Sequence, residues 1–210
     1  MEHLSTGGTE QILNWIFSVL FLFVMSYTVK FYRGDYKTRQ LAANADKALL
    51  YVEQHFNAVE SPKPNYAHAK VATNGSSRSV NIARSYAKRI AKAFDIPVGF
   101  DDGVDKGGRG NGNLLHTSMP AILLEPVFIS NPDGAGWVKH PDGQRKLARA
   151  LVETVKEFFP KGGLIAFSVG HKYRTSKPKD RGAVVYGGGV EADYAEIVLD
   201  LAKQMLEGKI

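Results

Sequence analysis

The chain has 210 residues, 44% hydrophobic and 23% charged, a make-up that fits one globular domain with a small appendage and is long enough to bury a core. Its 27 Lys plus Arg against 21 Asp plus Glu leave a net charge of +6, which favours a polyanionic neighbour; the basic residues are spread along helices without a nucleic-acid-binding signature, so no nucleic acid is expected as a partner. The absence of cysteine excludes disulfides and thiolate metal sites, so any metal must be held by His, Asp or Glu.

Ile12 to Val29 is a run of eighteen residues without charge, carrying Trp15, Phe17, Phe21 and Phe23. It reaches the lower length of a membrane span and is a candidate for membrane contact, which sets residues 1–26 apart from a main domain over residues 27–210. Met1 to Gln11 holds Glu2 and Glu10 but no Lys or Arg, whereas Lys30, Arg33, Lys37 and Arg39 follow the run. A signal peptide's basic leader is therefore missing, and the positive-inside rule would keep the bulk of the chain cytoplasmic. The alternative is a buried helix or oligomer contact over residues 12–25 followed by a strand from Tyr27 to Tyr32.

From Asp35 onward the pattern is α/β. Residues 37–47 read as a helix and 48–52 as a short apolar strand, which puts His55 just past a strand end, a good place for a metal ligand. A hydrogen-bonded structural histidine is the alternative there. Residues 66–72 alternate weakly as a strand, and Asn74-Gly75-Ser76-Ser77 forms a turn able to cap a helix over 78–94, which carries Val80, Ala83, Ala87, Ile90 and Phe94 on one face. Asp101 to Gly112 lacks the Gly-Lys-Ser/Thr of a phosphate-binding loop and reads as a flexible loop on the substrate side.

Ala121 to Leu124 is an apolar run too short for a helix, set between Pro120 and a loop at Asn131-Pro132-Asp133-Gly134, so it reads as a buried strand ending at Glu125. A carboxylate in that position is costly to desolvate without a charged partner and is suited to general-base work; a plainly ion-paired glutamate is the alternative. Residues 144–159 form an amphipathic helix stopped by Pro160, 164–169 a strand running into Gly170-His171, and 172–189 a basic, glycine-rich loop. Glu191 opens a last helix, where a carboxylate also suits the helix dipole.

His55, His171 and Glu191 are two imidazoles and one carboxylate placed at element ends, the donor set of a catalytic zinc site with one position left for water. Glu125 would then act as base on that water. The expected architecture is an α/β fold, a mixed and mainly parallel sheet flanked by helices on both faces, with the metal beyond the strand ends.

These residues resemble the zinc-dependent N-acetylmuramoyl-L-alanine amidases of the type 3 class, found in bacterial autolysins and phage endolysins. Thr117-Ser-Met-Pro-Ala-Ile-Leu-Leu-Glu125-Pro-Val-Phe-Ile-Ser-Asn131-Pro is similar to that family's stretch around its catalytic glutamate. His55-Phe-Asn57-Ala58 is similar to its His-x-Asn-Ala ligand motif, with Arg39 and Ala43-Asn44 upstream also alike. Gly170-His171 and Arg181-Gly182-Ala183 to Glu191 resemble the family's opening strand, glycine loop and glutamate ligand. In the family those last elements come first, so the chain reads as circularly permuted, with Pro160-Lys-Gly-Gly163 joining the old C-terminal helix to the first strand. Departures are Lys172 in place of a Gly, Pro126-Val127 in place of a residue-Gly pair, and Glu53-Gln54 where a Ser is common.

The resemblance implies zinc-dependent hydrolysis of the amide between N-acetylmuramic acid and the L-alanine of the stem peptide, with peptidoglycan as partner. His55, His171 and Glu191 would hold zinc, Glu125 would be the base, and His116, Asn57 and Asn131 would contact substrate, a surface-loop role being the alternative for His116. Other readings are a catalytically weak cell-wall-binding protein on the same scaffold and a membrane-tethered interaction protein working through Ile12 to Val29. A phage endolysin made in the host cytoplasm and released at lysis reconciles the charge asymmetry with a cell-wall substrate; a cell-envelope enzyme is the other expectation.

Overall fold

The computed structural model of the chain describes residues 26–210. Six strands form one sheet: β1 (Tyr27–Phe31), β2 (Leu50–Gln54), β3 (His68–Val71), β4 (Val104–Lys106), β5 (Ala121–Glu125) and β6 (Gly163–Val169). Their spatial order is β1-β6-β2-β5-β3-β4, and every pair is parallel except β3 with β5. The mixed α/β architecture is the expected one. The most C-terminal strand therefore lies in the middle of the N-terminal ones.

Alternation along the strands divides the core in two. Leu50 and Val52, Ile122 and Leu124, and Ile165, Phe167 and Val169 join one large cluster with α2 (Ser77–Phe94), α5 (Pro141–Phe158) and α6 (Glu191–Leu206). Tyr51, Leu123 and Ala166 point the other way, into a smaller cluster with Ala43 of α1 (Tyr36–Ala45) and Leu114. Successive side chains of a strand face opposite sides, and here both sides are apolar because both are covered. Each of the two long helices α2 and α5 presents a wide apolar stripe to the first cluster.

The caps explain where these helices start. Ser76 accepts a hydrogen bond from the Ser79 backbone at 3.2 Å, so α2 begins at Ser77. Pro141 sits at the first position of α5, where its missing N–H costs nothing.

Three features differ from the sequence-based reading. Asn131-Pro132-Asp133-Gly134 is no loop but the start of α4 (Pro132–Lys139), since an Asn before a Pro is also an N-cap followed by its favoured first residue. The stretch from Asp101 to Gly112 contains the end of a single turn, α3 (Phe100–Gly103), then β4, then a 3₁₀ turn at Asn111–Asn113, so part of it is an edge strand. Tyr27 to Val29 lie in β1, with Tyr27 and Val29 buried. The strand expected from Tyr27 is present and ends at Phe31, while residues 12–25, on which both readings of the apolar run turn, lie outside the described residues. Among the described residues no helix is long and apolar enough to cross a membrane.

Candidate metal centre and catalytic cleft

The sheet order brings the C-terminal ends of β6, β2 and β5 side by side, and each end carries a residue singled out above. His55 follows β2, its backbone N–H donating to Leu124 O of β5 at 2.9 Å. His171 follows β6 after Gly170, whose N–H donates to Gln54 O at 2.9 Å. Glu125 ends β5. The first residue of α6, Glu191, faces the same point, its own N–H donating to Ala183 O at 2.9 Å.

One ligand atom from each of His55, His171 and Glu191 lies within 4.8 Å of the others. His55 Nδ1 is 3.1 Å from Glu191 Oε1, and His171 Nε2 is 3.5 Å from Glu191 Oε2. The two rings stand edge to face with centroids 4.8 Å apart. Backbone N–H groups of Phe56 and Ala183 donate to the Glu191 carboxylate at 3.1 and 3.0 Å, which sets its orientation. Close approach explains two glycines: a Cβ on Gly170 would stand 2.5 Å from His55 Cε1, and one on Gly182 would stand 2.5 Å from Glu191 Oε2. His171 itself takes a left-handed φ of 61°, an uncommon conformation for a residue with a side chain.

Each imidazole turns its far nitrogen to a carboxylate. His55 Nε2 is 2.9 Å from Glu53 Oε1, and His171 Nδ1 is 2.9 Å from Asp180 Oδ1. A histidine that donates one ring N–H to a carboxylate presents the other nitrogen as a bare lone pair, the form a metal needs. Glu53 is itself fully buried and receives Arg39 at 3.0 Å, Asn113 at 2.6 Å and the Tyr51 hydroxyl at 3.1 Å. Asp180 accepts from Arg174 at 3.1 Å and from the Gly182 N–H at 3.1 Å.

The electrostatics describe a pocket that favours positive charge. Burial works against a charged His55, but hydrogen bonds and negative charge from Glu191 and Glu53 outweigh it and raise its pKa to about 10. Burial pushes the Glu191 carboxyl up, yet the hydrogen bond from His55 and the charges of His55 and His171 hold it below the usual range. Glu53 is lowered in the same way, burial being opposed chiefly by Arg39. The pocket is thus built to hold positive charge. Two imidazole nitrogens and one carboxylate, each held by further hydrogen bonds, suit a divalent ion of the zinc type with a coordination position to spare.

A cleft of about 810 Å³ opens over this cluster and is lined by His55, His171, Glu191 and Glu125 together. Of the three expected substrate contacts, Asn57 lines it, whereas His116 and Asn131 do not. Asn131 is buried and caps α4, accepting from Asp133 N at 2.9 Å and donating to Pro62 O at 2.8 Å. His116 is exposed, and its backbone is tied to Gln40 and Asn44.

The structure adds residues that the sequence reading did not single out. His68 of β3 brings Nε2 to 2.6 Å from Glu125 Oε2, and Lys70 stands 3.9 Å from the same oxygen. Asp180 emerges as the partner of His171, and Glu53, seen in sequence only as a departure from a Ser, as the partner of His55. In sequence His68 carries only a weak signal, its place in an alternating stretch; the antiparallel register that pairs it with Glu125 is a long-range property.

A family model described as N-acetylmuramoyl-L-alanine amidase matches residues 21–157. The endolysin of Bacillus phage SPP1 is 32% identical over 119 residues, covering 57% of this chain and 43% of that protein. The germination-specific N-acetylmuramoyl-L-alanine amidase of Bacillus subtilis (strain 168) is 25% identical over 137 residues, covering 61% of this chain and 52% of the relative. The chain thus spans about half the length of the curated relatives it matches. Among solved structures, the catalytic domain of CwlV, an amidase from Bacillus (Paenibacillus) polymyxa var. colistinus, aligns with a TM-score of 0.51 at 25% identity, covering 60% of this chain and 66% of that one.

Proposed function

Because the chain belongs to the N-acetylmuramoyl-L-alanine amidase family, whose model spans residues 21–157, we propose that it hydrolyses the amide between N-acetylmuramic acid and the L-alanine of the stem peptide in peptidoglycan, with zinc as its metal. The observation that carries this reading is the convergence of His55, His171 and Glu191 within 4.8 Å, in one cleft with Glu125.

Those three side chains would hold zinc, which when bound would supply Lewis acidity toward the scissile carbonyl and toward a water molecule. Glu125 takes the proton of the attacking water and returns it to the amide nitrogen as the peptide leaves with a free L-alanine amino group. Glu53 and Asp180 keep His55 and His171 in the tautomers that present Nδ1 and Nε2 to the site. Asn57, on the cleft wall, is the substrate contact retained in this reading, and Arg109 and Lys177 line the same cleft, beside the ion-paired Lys70 and Arg174, as cations to meet an acidic peptide.

Part of the same reading is that the chain is a circular permutant of its family. The family match ends at residue 157, before His171 and Glu191, yet β6 sits between β1 and β2 with His171 just past its end, and the first residue of α6, Glu191, faces the same cleft.

Mass spectrometry of purified peptidoglycan after incubation with the full chain tests the activity. Peptides that begin with a free L-alanine are expected from the wild type; Glu125→Ala is expected to lower their release about 10²- to 10⁴-fold while keeping its bound zinc. Cleavage at a sugar linkage or within the peptide, or equal release by wild type and Glu125→Ala, would refute it.

A further inference from the structure

We propose that His68 is the positioning residue for Glu125, its Nε2 set against one carboxylate oxygen so that the other faces the attacking water; this rests on the reading of Glu125 as the base. β3 and β5 form the one antiparallel pair of the sheet among the described residues, and their register sets His68 directly across from Glu125. Residues opposite each other on an antiparallel pair have adjacent side chains, so the contact is written into the sheet and not into a mobile loop. His68 is 1% exposed, with Nε2 at 2.6 Å from Glu125 Oε2.

Three further observations fix the ring. Among the described residues its Nδ1 is buried without a hydrogen-bond partner. A proton on that nitrogen would be buried and unpaired, so Nε2, the atom facing the carboxylate, is the ring nitrogen suited to carry one. Tyr66 and Phe100 pack against the imidazole with centroids at 5.6 and 4.9 Å, which holds its plane. Lys70, two residues on and on the same side of β3, stands 3.9 Å from the same oxygen while paired with Asp105 of β4. Both neighbours engage Oε2, which leaves Oε1 to take the proton.

A base held on one side only loses rate and not affinity when its support goes, because misplacement of the reacting oxygen by about 1 Å costs up to about 10²-fold. The test is steady-state release of amino groups from soluble peptidoglycan fragments by the zinc-loaded full chain, with thermal melts to select folded variants. His68→Phe keeps the shape and loses the donor. It is expected to lower kcat about 10- to 100-fold at unchanged KM and zinc content, whereas His68→Gln, with an amide N–H of similar reach, recovers part of the loss. An active wild type with kcat retained in His68→Phe, or with Gln no better than Phe, overturns the proposal and leaves the amidase reading standing.

Nitrogen-15 NMR of the histidine side chains gives a readout that needs no turnover. The His68 Nε2–H signal is expected to shift in Glu125→Ala. An inactive wild type would sink the amidase reading instead, and a His68 signal unmoved by Glu125→Ala would then overturn the pairing too.

Discussion

The carboxylates behind the two histidines differ in how deeply they are set, and that difference predicts different consequences. Glu53 and Arg39 are both fully buried and paired at 3.0 Å. Removing one partner of such a pair leaves an uncompensated charge in the interior, which costs about 3–5 kcal/mol. Glu53→Ala is therefore expected to lower the urea midpoint sharply as well as weaken metal binding. Asp180 is partly exposed, so Asp180→Asn should leave the urea midpoint nearly unchanged while lowering zinc affinity about 10- to 100-fold, as read by competition with a chelator. Equal stability losses in the two variants would contradict this. The three side chains that converge, and Glu125, were legible in the sequence because they stand at element ends: His55 and His171 just past strands, Glu125 at the end of one, and Glu191 at the start of a helix. Glu53, Asp180 and His68 were not, because what draws them to the cleft is a partner 2, 9 or 57 residues away whose distance only the fold sets.

At the scale of elements, the helices and the buried strands follow from local pattern, and the errors fall where one local signal has two meanings. Asn131-Pro132 reads equally as a turn or as a cap with proline at the first helical position, and the structure takes the second. Asn131 accordingly serves α4 by accepting from the N–H groups of Asp133 and Gly134. Asn131→Ala is expected to cost about 1 kcal/mol in a denaturant titration with KM unchanged; a raised KM without loss of stability would restore it as a substrate contact. β4 escaped notice because three residues inside a glycine-rich stretch carry no periodicity, and they are held by pairing with β3. The antiparallel setting of β3 was likewise invisible, since strand direction is decided by the path of the chain between strands.

For the molecule as a whole, the insertion of β6 between β1 and β2 joins two halves of a site that lie far apart in sequence. Tyr27 is in register with Gly163, Gly163 N donates to Ser26 O at 3.1 Å, and the Tyr27 hydroxyl donates to Phe159 O at 2.8 Å, so the start of β1 meets the link into β6. The end of α6 reaches the same strand, with Glu207 accepting from Val29 N at 3.0 Å and Lys203 donating to Val29 O at 2.6 Å. A reordered chain that starts at Gly163 and runs through residue 210 and a short glycine linker into Tyr27 should therefore fold with the same circular dichroism spectrum and a Tm within a few degrees; failure to fold would contradict the permuted order. The fold class and the grouping of His55, His171 and Glu191 were readable from the sequence, whereas this closure depends on contacts between segments more than 130 residues apart. The most direct test of the central claim is the rate at which the full chain releases amino groups from peptidoglycan before chelation, after chelation and after zinc is restored. Loss of release on chelation and its recovery with zinc are expected in the wild type but not in His55→Ala or Glu191→Ala. Release that continues undiminished in protein shown to be metal-free would contradict it.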